Sequence, residues 1–339
     1  MEKASRIDHM GFLKFVKLQV LLARLAWGAS RTRSDPSVVE HQEWSPSGTG
    51  MVIYQHPHRK LATCVAVHGV TINGGQDPRL IHFARTMAHF GITCVLPTLG
   101  GLASCRWETS DLDELADVVT LTAHAIHQPI GLVGFSFGGS YALIVAGRPQ
   151  TLQQIPWVIT FGAYHNLADV LEGYTLNLKS EAQNKTEWDE VIYQRLAFLY
   201  GQRDAVAFSQ EVWQEAEALL KRYCFEASFE EKRRFYDRYL HDLDPEVFKR
   251  LPEPEVLKKL SPAGNLEHLD CPVTLIHDRN DHAVPAAQAE RLLSELETLH
   301  SNKNHRLVLT SLLSHVSASN LMNVPEMIRL AKALSPLIP

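Results

Sequence analysis

Cysteine is scarce and scattered: five in 339 residues, at positions 64, 94, 105, 224 and 271, with no C-x-x-C anywhere. An odd number without paired spacing excludes a disulfide framework and a cysteine zinc site, and fits a reducing compartment. Cys64, Cys94 and Cys271 sit in or beside apolar runs and read as buried core. Positive charge is also short: 33 Lys and Arg stand against 38 Asp and Glu, a net charge of −5. With no basic patch interleaved with aromatics, nucleic acid is not an expected partner. His124 and His127 lack the H-E-x-x-H spacing, so no metal is expected. Internal repeats and low-complexity tracts are absent.

What is present is ordinary for a globular protein: 45% hydrophobic and 21% charged residues, in a chain long enough for a large core. The charge is uneven, however. Residues 1–34 carry Lys3, Arg6, Lys14, Lys17, Arg24, Arg31 and Arg33 against Glu2 and Asp8, seven minus two or +5, which leaves −10 for the rest. Phe12 to Trp27 reads as a helix with Lys14, Lys17 and Arg24 in one narrow arc. Those cations break the apolar run, which excludes a membrane span, and no small-residue cleavage site follows, which argues against a secretory signal. Two readings stand for this helix. One is packing, on its own domain or in self-association. The other is peripheral contact with a membrane surface, the basic edge toward anionic headgroups. The expected location is cytoplasmic, free or at that surface.

After residue 34 the pattern turns to α/β. Ala62–Val67, Gly91–Pro97, Ile130–Val133 and Pro156–Phe161 read as buried strands, alternating with helices over Asp77–Phe90 and Leu112–Ile126 and a buried one from Ser140 to Gly147. Pro272–His277, a helix over Ala286–Leu299, a strand His305–Leu309 and a helix from about Pro325 to Leu337 complete the series. Continuous apolar strands between helices predict a mostly parallel sheet covered on both faces. Between residues 164 and 263 the strand-like runs vanish. Aromatics and charges recur at helical spacing, among them Trp188, Tyr193, Phe198 and Tyr236, predicting an inserted helical domain. The expected division is therefore 1–34, a core of 35–163 and 264–339, and an insertion of 164–263.

Gly134-Phe135-Ser136-Phe137-Gly138 fits G-x-S-x-G between a strand and a helix, the pattern of a nucleophile elbow. The pattern alone arises by chance in about one chain of this length in ten, so its weight comes from its surroundings. A serine needs a base, and the base needs an orienting acid. Asp281, in Asp281-His282-Ala283-Val284-Pro285, and His315, after the last strand, follow Ser136 in that order; Asp278, three residues before Asp281, competes for the acid role.

With His68-Gly69 after an early strand, the Ser136 elbow, the D-x-x-V-P segment from Asp281 and the late His315, the chain resembles the α/β-hydrolase superfamily over roughly 52–163 and 264–339. The resemblance implies a mostly parallel central sheet flanked by helices, with residues 164–263 as a cap. It favours Asp281 as the acid, since that residue stands four before Pro285. It implies Ser136 as nucleophile, His315 as base and the backbone N–H groups of Val70 and Phe137 as the oxyanion hole, with His68 supporting that loop. The implied activity is cleavage of a carboxylic ester with a hydrophobic acyl or aromatic group, a small-molecule substrate, without a cofactor. Thioester, amide or carbon–carbon hydrolysis on the same triad, and a non-catalytic binding protein of the same fold, are the alternatives. Asn73-Gly74-Gly75 lacks the lysine and spacing of a P-loop and reads as a flexible loop over the site.

Overall fold

The computed structural model describes residues 37–176, 184–243, 247–248, 250–314, 317–318 and 324–337. The helix expected within residues 1–34 lies outside them, as does His315. No helix among the described residues is long and apolar enough to cross a membrane.

A central sheet contains β1 (Val39–Trp44), β2 (Gly50–Gln55), β3 (Ala62–Val67), β4 (Ile92–Pro97), β5 (Gly131–Phe135), β6 (Val158–Phe161), β7 (Val273–Asp278) and β8 (Arg306–Thr310), in the order β1-β2-β4-β3-β5-β6-β7-β8. In this sheet β2 runs opposite to the other strands, antiparallel to both β1 and β4; from β4 across to β8 every pairing is parallel. Beside a single helical turn at Gly100–Ala103, the α-helices among the described residues are α1 (Pro78–His89), α2 (Ser110–Ile126), α3 (Phe137–Ala146), α4 (Leu167–Leu176), α5 (Lys185–Gly201), α6 (Gln210–Arg222), α7 (Phe229–Tyr239), α8 (Pro254–Lys259), α9 (Ala286–Leu299) and α10 (Val324–Ala333).

Side-chain alternation assigns the two faces. Val65 and Val67 belong to the core covered by α2, α3 and α9, whereas Cys64 and Ala66 belong to the core covered by α1 and α10. With both faces covered, β3 has no solvent side, which is why it reads as an unbroken apolar run. Helix starts follow local chemistry. Asp77 accepts from the Arg79 N–H at 2.9 Å and Pro78 opens α1; Ser228 and Glu231 form a reciprocal capping box before α7.

The hairpin β1–β2 is a feature the apolar pattern does not announce. β1 is an edge strand, exposed along nearly its whole length, and is held by its register to β2 from Val39↔Gln55 to Trp44↔Gly50. Nor is the segment after β8 simply a loop, since Leu313–Ser314 pairs antiparallel with Ser317–Ala318.

The region between β6 and β7 is helical, as expected, and has its own core of Ile192, Leu196, Leu219, Leu220, Phe235 and Tyr236. Its base is pinched. Ala263 N–H donates to the His165 carbonyl at 3.0 Å, Leu167 N–H to Ser261 Oγ at 2.9 Å, and the Tyr164 hydroxyl to the Leu260 carbonyl at 2.7 Å. The outgoing and returning chains are thus bound to each other where they leave the sheet.

Candidate active site

From β3 the chain passes first to β4 on one side and then to β5 on the other. The crevice beyond the carboxyl ends of β3 and β5 is the point of reversal, where sheets of this kind bind ligands. Ser136 stands there, at the end of β5 and the cap position of α3, with φ 52° and ψ −127°. A non-glycine residue so placed is strained by about 1–3 kcal/mol, and the surroundings must enforce it. They do so through close backbone approach. A Cβ on Gly134 would lie 2.3 Å from Gly139 Cα, and one on Gly138 would lie 2.2 Å from the His68 carbonyl oxygen. The Ser136 N–H donates to the Phe161 carbonyl at 2.6 Å.

The elbow meets the His68-Gly69 loop directly. A Cβ on Gly69 would fall 2.9 Å from Ser136 Cβ and 3.6 Å from its Oγ, so the glycine lets this backbone reach the serine. His68 is buried and bonded at both ring nitrogens. The Leu99 N–H donates to Nε2 at 3.0 Å, leaving Nδ1 to carry the hydrogen and donate to the Gly69 carbonyl at 2.7 Å. Burial pushes its pKa down to about 4, against the opposing influence of the Gly69 bond and Asp77, in keeping with a neutral ring. Asn73-Gly74-Gly75 departs from the flexible loop expected of it. Gly74–Gln76 forms a single 3-10 turn, Gly75 N–H donates to Thr98 Oγ1 at 3.1 Å, and a Cβ on Gly74 would meet Thr98 at 2.5 Å. Close packing explains the two glycines.

Asp281 follows β7 and is buried. Its Oδ1 accepts from the N–H groups of Ala283 and Val284 at 2.9 and 2.8 Å, an arrangement that favours the carboxylate. His277, not singled out by sequence, braces this turn: its Nε2 lies 2.7 Å from the Val284 carbonyl and 3.4 Å from Asp281 Oδ2. Asp278 is also buried and its Oδ1 accepts from the Asn280 N–H at 3.1 Å. The structure therefore brings Ser136, Phe137 and the Gly69–Val70 backbone together, and places Asp281 two strands away on the same edge of the sheet.

The cap covers this edge. Phe137 contacts Tyr164 edge-on, with ring centroids 4.9 Å apart, and Trp107 lies between Phe137 at 6.4 Å and the cap residue Phe198 at 5.5 Å. Val70 and Trp107 pack against both the sheet core and the cap core. The Tyr193 hydroxyl, on α5, donates to the Val70 carbonyl at 2.7 Å.

No family model and no curated protein matches the chain. Solved structures do. An esterase of Pyrococcus furiosus aligns at a TM-score of 0.53 with 12% identity, over 89% of this chain and 91% of that one. A second crystal form of that esterase gives 0.52 and 12%, over 89% and 93%. A puromycin-hydrolyzing peptidase of Mycobacterium tuberculosis gives 0.51 and 14%, over 90% of this chain but only 40% of the peptidase. At such identities the likeness speaks to architecture. The chain has the α/β-hydrolase fold, with a helical cap inserted between β6 and β7.

Proposed function

We propose that this protein is a serine hydrolase that cleaves a carboxylic ester through an acyl-enzyme. The observation that carries the reading is the backbone of Ser136: a strained, left-handed φ at a strand-to-helix turn, with the Gly69 backbone against its side chain. Such strain is kept where it serves chemistry. In this reading Ser136 Oγ attacks the ester carbonyl while His315 takes its proton. The N–H groups of Val70 and Phe137 receive the developing oxyanion. Collapse of the tetrahedral species breaks the bond to the alcohol, which leaves with the proton from His315. Water, deprotonated by His315, then attacks the acyl-enzyme; collapse breaks the bond to Ser136 Oγ, releases the carboxylic acid, and His315 returns the proton to Ser136. Asp281 holds the imidazole tautomer and stabilises its charged form. The half-buried Val70, Ile72 and Trp107, packed against the cap core, favour a hydrophobic acyl or aromatic group. The fold likeness to an esterase supports the choice of an ester as the bond cleaved.

A fluorophosphonate probe, with the modified residue mapped by mass spectrometry, tests this reading. Wild-type protein should be labelled at Ser136 and should hydrolyse p-nitrophenyl butyrate; Ser136→Ala and His315→Ala should do neither. Asp281→Asn should lose far more activity than Asp278→Asn. Labelling elsewhere, or folded wild type that stays unlabelled and inert, would refute it.

A further inference from the structure

We propose that Tyr193, on the cap helix α5, is a positioning residue for the oxyanion hole, so that the hole is set only while the cap is seated. The inference rests on the reading of the Val70 N–H as an oxyanion donor. Val70 lies between two peptide planes. The first ends in the Gly69 carbonyl, which accepts from His68 Nδ1 at 2.7 Å. Because a trans peptide is planar, holding that carbonyl aims the Val70 N–H the opposite way. The second plane carries the Val70 carbonyl, which accepts from the Tyr193 hydroxyl at 2.7 Å. Only φ and ψ of Val70 separate the planes, so fixing both fixes the donor's direction. One anchor belongs to the core and the other to the cap.

Tyr193 is itself held. Its ring packs on Tyr223 at 5.0 Å, and the Tyr223 hydroxyl donates to the Asp189 carbonyl of α5 at 2.8 Å. Burial keeps the Tyr193 phenol far above its ordinary pKa, so it remains a donor across the working range of pH. The same loop meets the cap again where Asn73 Nδ2 donates to the Lys221 carbonyl at 3.0 Å. That second bond secures the loop, but lies beyond the two planes that aim the Val70 N–H. The two contacts therefore have separable consequences.

The test is Tyr193→Phe in the full chain, which keeps the ring and its packing and removes one hydroxyl. With p-nitrophenyl butyrate, kcat should fall about 10- to 100-fold, up to the loss of a whole oxyanion donor. KM should stay within about twofold, because the interaction acts in the transition state. Affinity for a trifluoromethyl ketone, whose hemiketal oxygen mimics the oxyanion, should fall by the same factor as kcat/KM. Asn73→Ala should leave kcat within about threefold. A Tyr193→Phe enzyme with wild-type kcat and inhibitor affinity, or one that loses only thermal stability, overturns the inference alone. A wild type inert to both ester and fluorophosphonate overturns the ester-hydrolase reading and this inference with it.

Discussion

Gly138→Ala adds one methyl group to the elbow, and the surroundings offer it no room. The new Cβ would lie 2.2 Å from the His68 carbonyl oxygen, 2.7 Å from that of Val67 and 2.9 Å from the His68 carbonyl carbon. All three are backbone atoms at the end of a central strand paired on both sides, so no side chain can swing away. Relief requires α3 and the end of β3 to part by about 1 Å, an overpacking cost of about 1–3 kcal/mol. The displacement falls between Ser136 and the His68-Gly69 loop. A misplacement of that size at a reacting centre costs about 100-fold in rate. Gly173→Ala is the matched control, since nothing lies within 4 Å of its added Cβ and it sits inside α4; there alanine should add about 0.5–1 kcal/mol of helix stability. The assays are p-nitrophenyl butyrate turnover and thermal melting on both variants. Gly138→Ala with wild-type kcat/KM and melting temperature would refute the reasoning, because it would mean the elbow is not held by backbone contact.

Tyr164→Phe should leave the buried Leu260 carbonyl without its phenol partner and lower stability by about 1–3 kcal/mol, measured by urea unfolding. Two buried groups should shape the pH dependence of stability in opposite senses. Burial lowers His68 from 6.5 to about 4, so between those values the unfolded chain binds a proton that the native state refuses. Its contribution rises with pH through that window, is complete above about 6.5 and amounts to about 3 kcal/mol. His68→Gln should remove that rise. Asp111, which accepts from the N–H groups of Gly101 and Leu102, is raised by burial from 3.8 to about 7. It binds a proton in the native state that the unfolded chain has released, so its contribution falls as pH rises from 3.8 to about 7. Unfolding of Asp111→Asn at pH 5 and 7.5 should therefore show a steeper rise in stability than wild type. An unchanged slope would contradict the assignment.

The parts legible in the sequence are those whose physics is local or periodic. β3 and β5 declare themselves because both faces are covered, and Ser136 because its turn requires glycine at 134 and 138. β1 stays silent because an exposed edge strand needs no apolar pattern. The packing of Gly74 and Gly75 against Thr98 is hidden because Thr98 lies more than twenty residues away. Tyr193 is one aromatic among many in the cap. Its distinction is an acceptor 123 residues earlier, and a backbone carbonyl has no sequence identity. His277 is disguised as a strand residue, its role depending on how the following turn folds back. The assignment of His315 as base, by contrast, rests on chain order and resemblance.

The pinched base of the cap makes the insertion a handle on the core rather than a stretch of its path. The residues at its two ends are hydrogen-bonded to each other, so the distance the core must bridge is the same whether the excursion is long or short. Closure entropy grows only logarithmically with the length enclosed, each doubling costing about 0.6 kcal/mol. Lineages could therefore lengthen, shorten or exchange this segment with little penalty to the sheet beneath it. A new cap would bring its own walls to the crevice and would need to supply its own partner for the Val70 carbonyl.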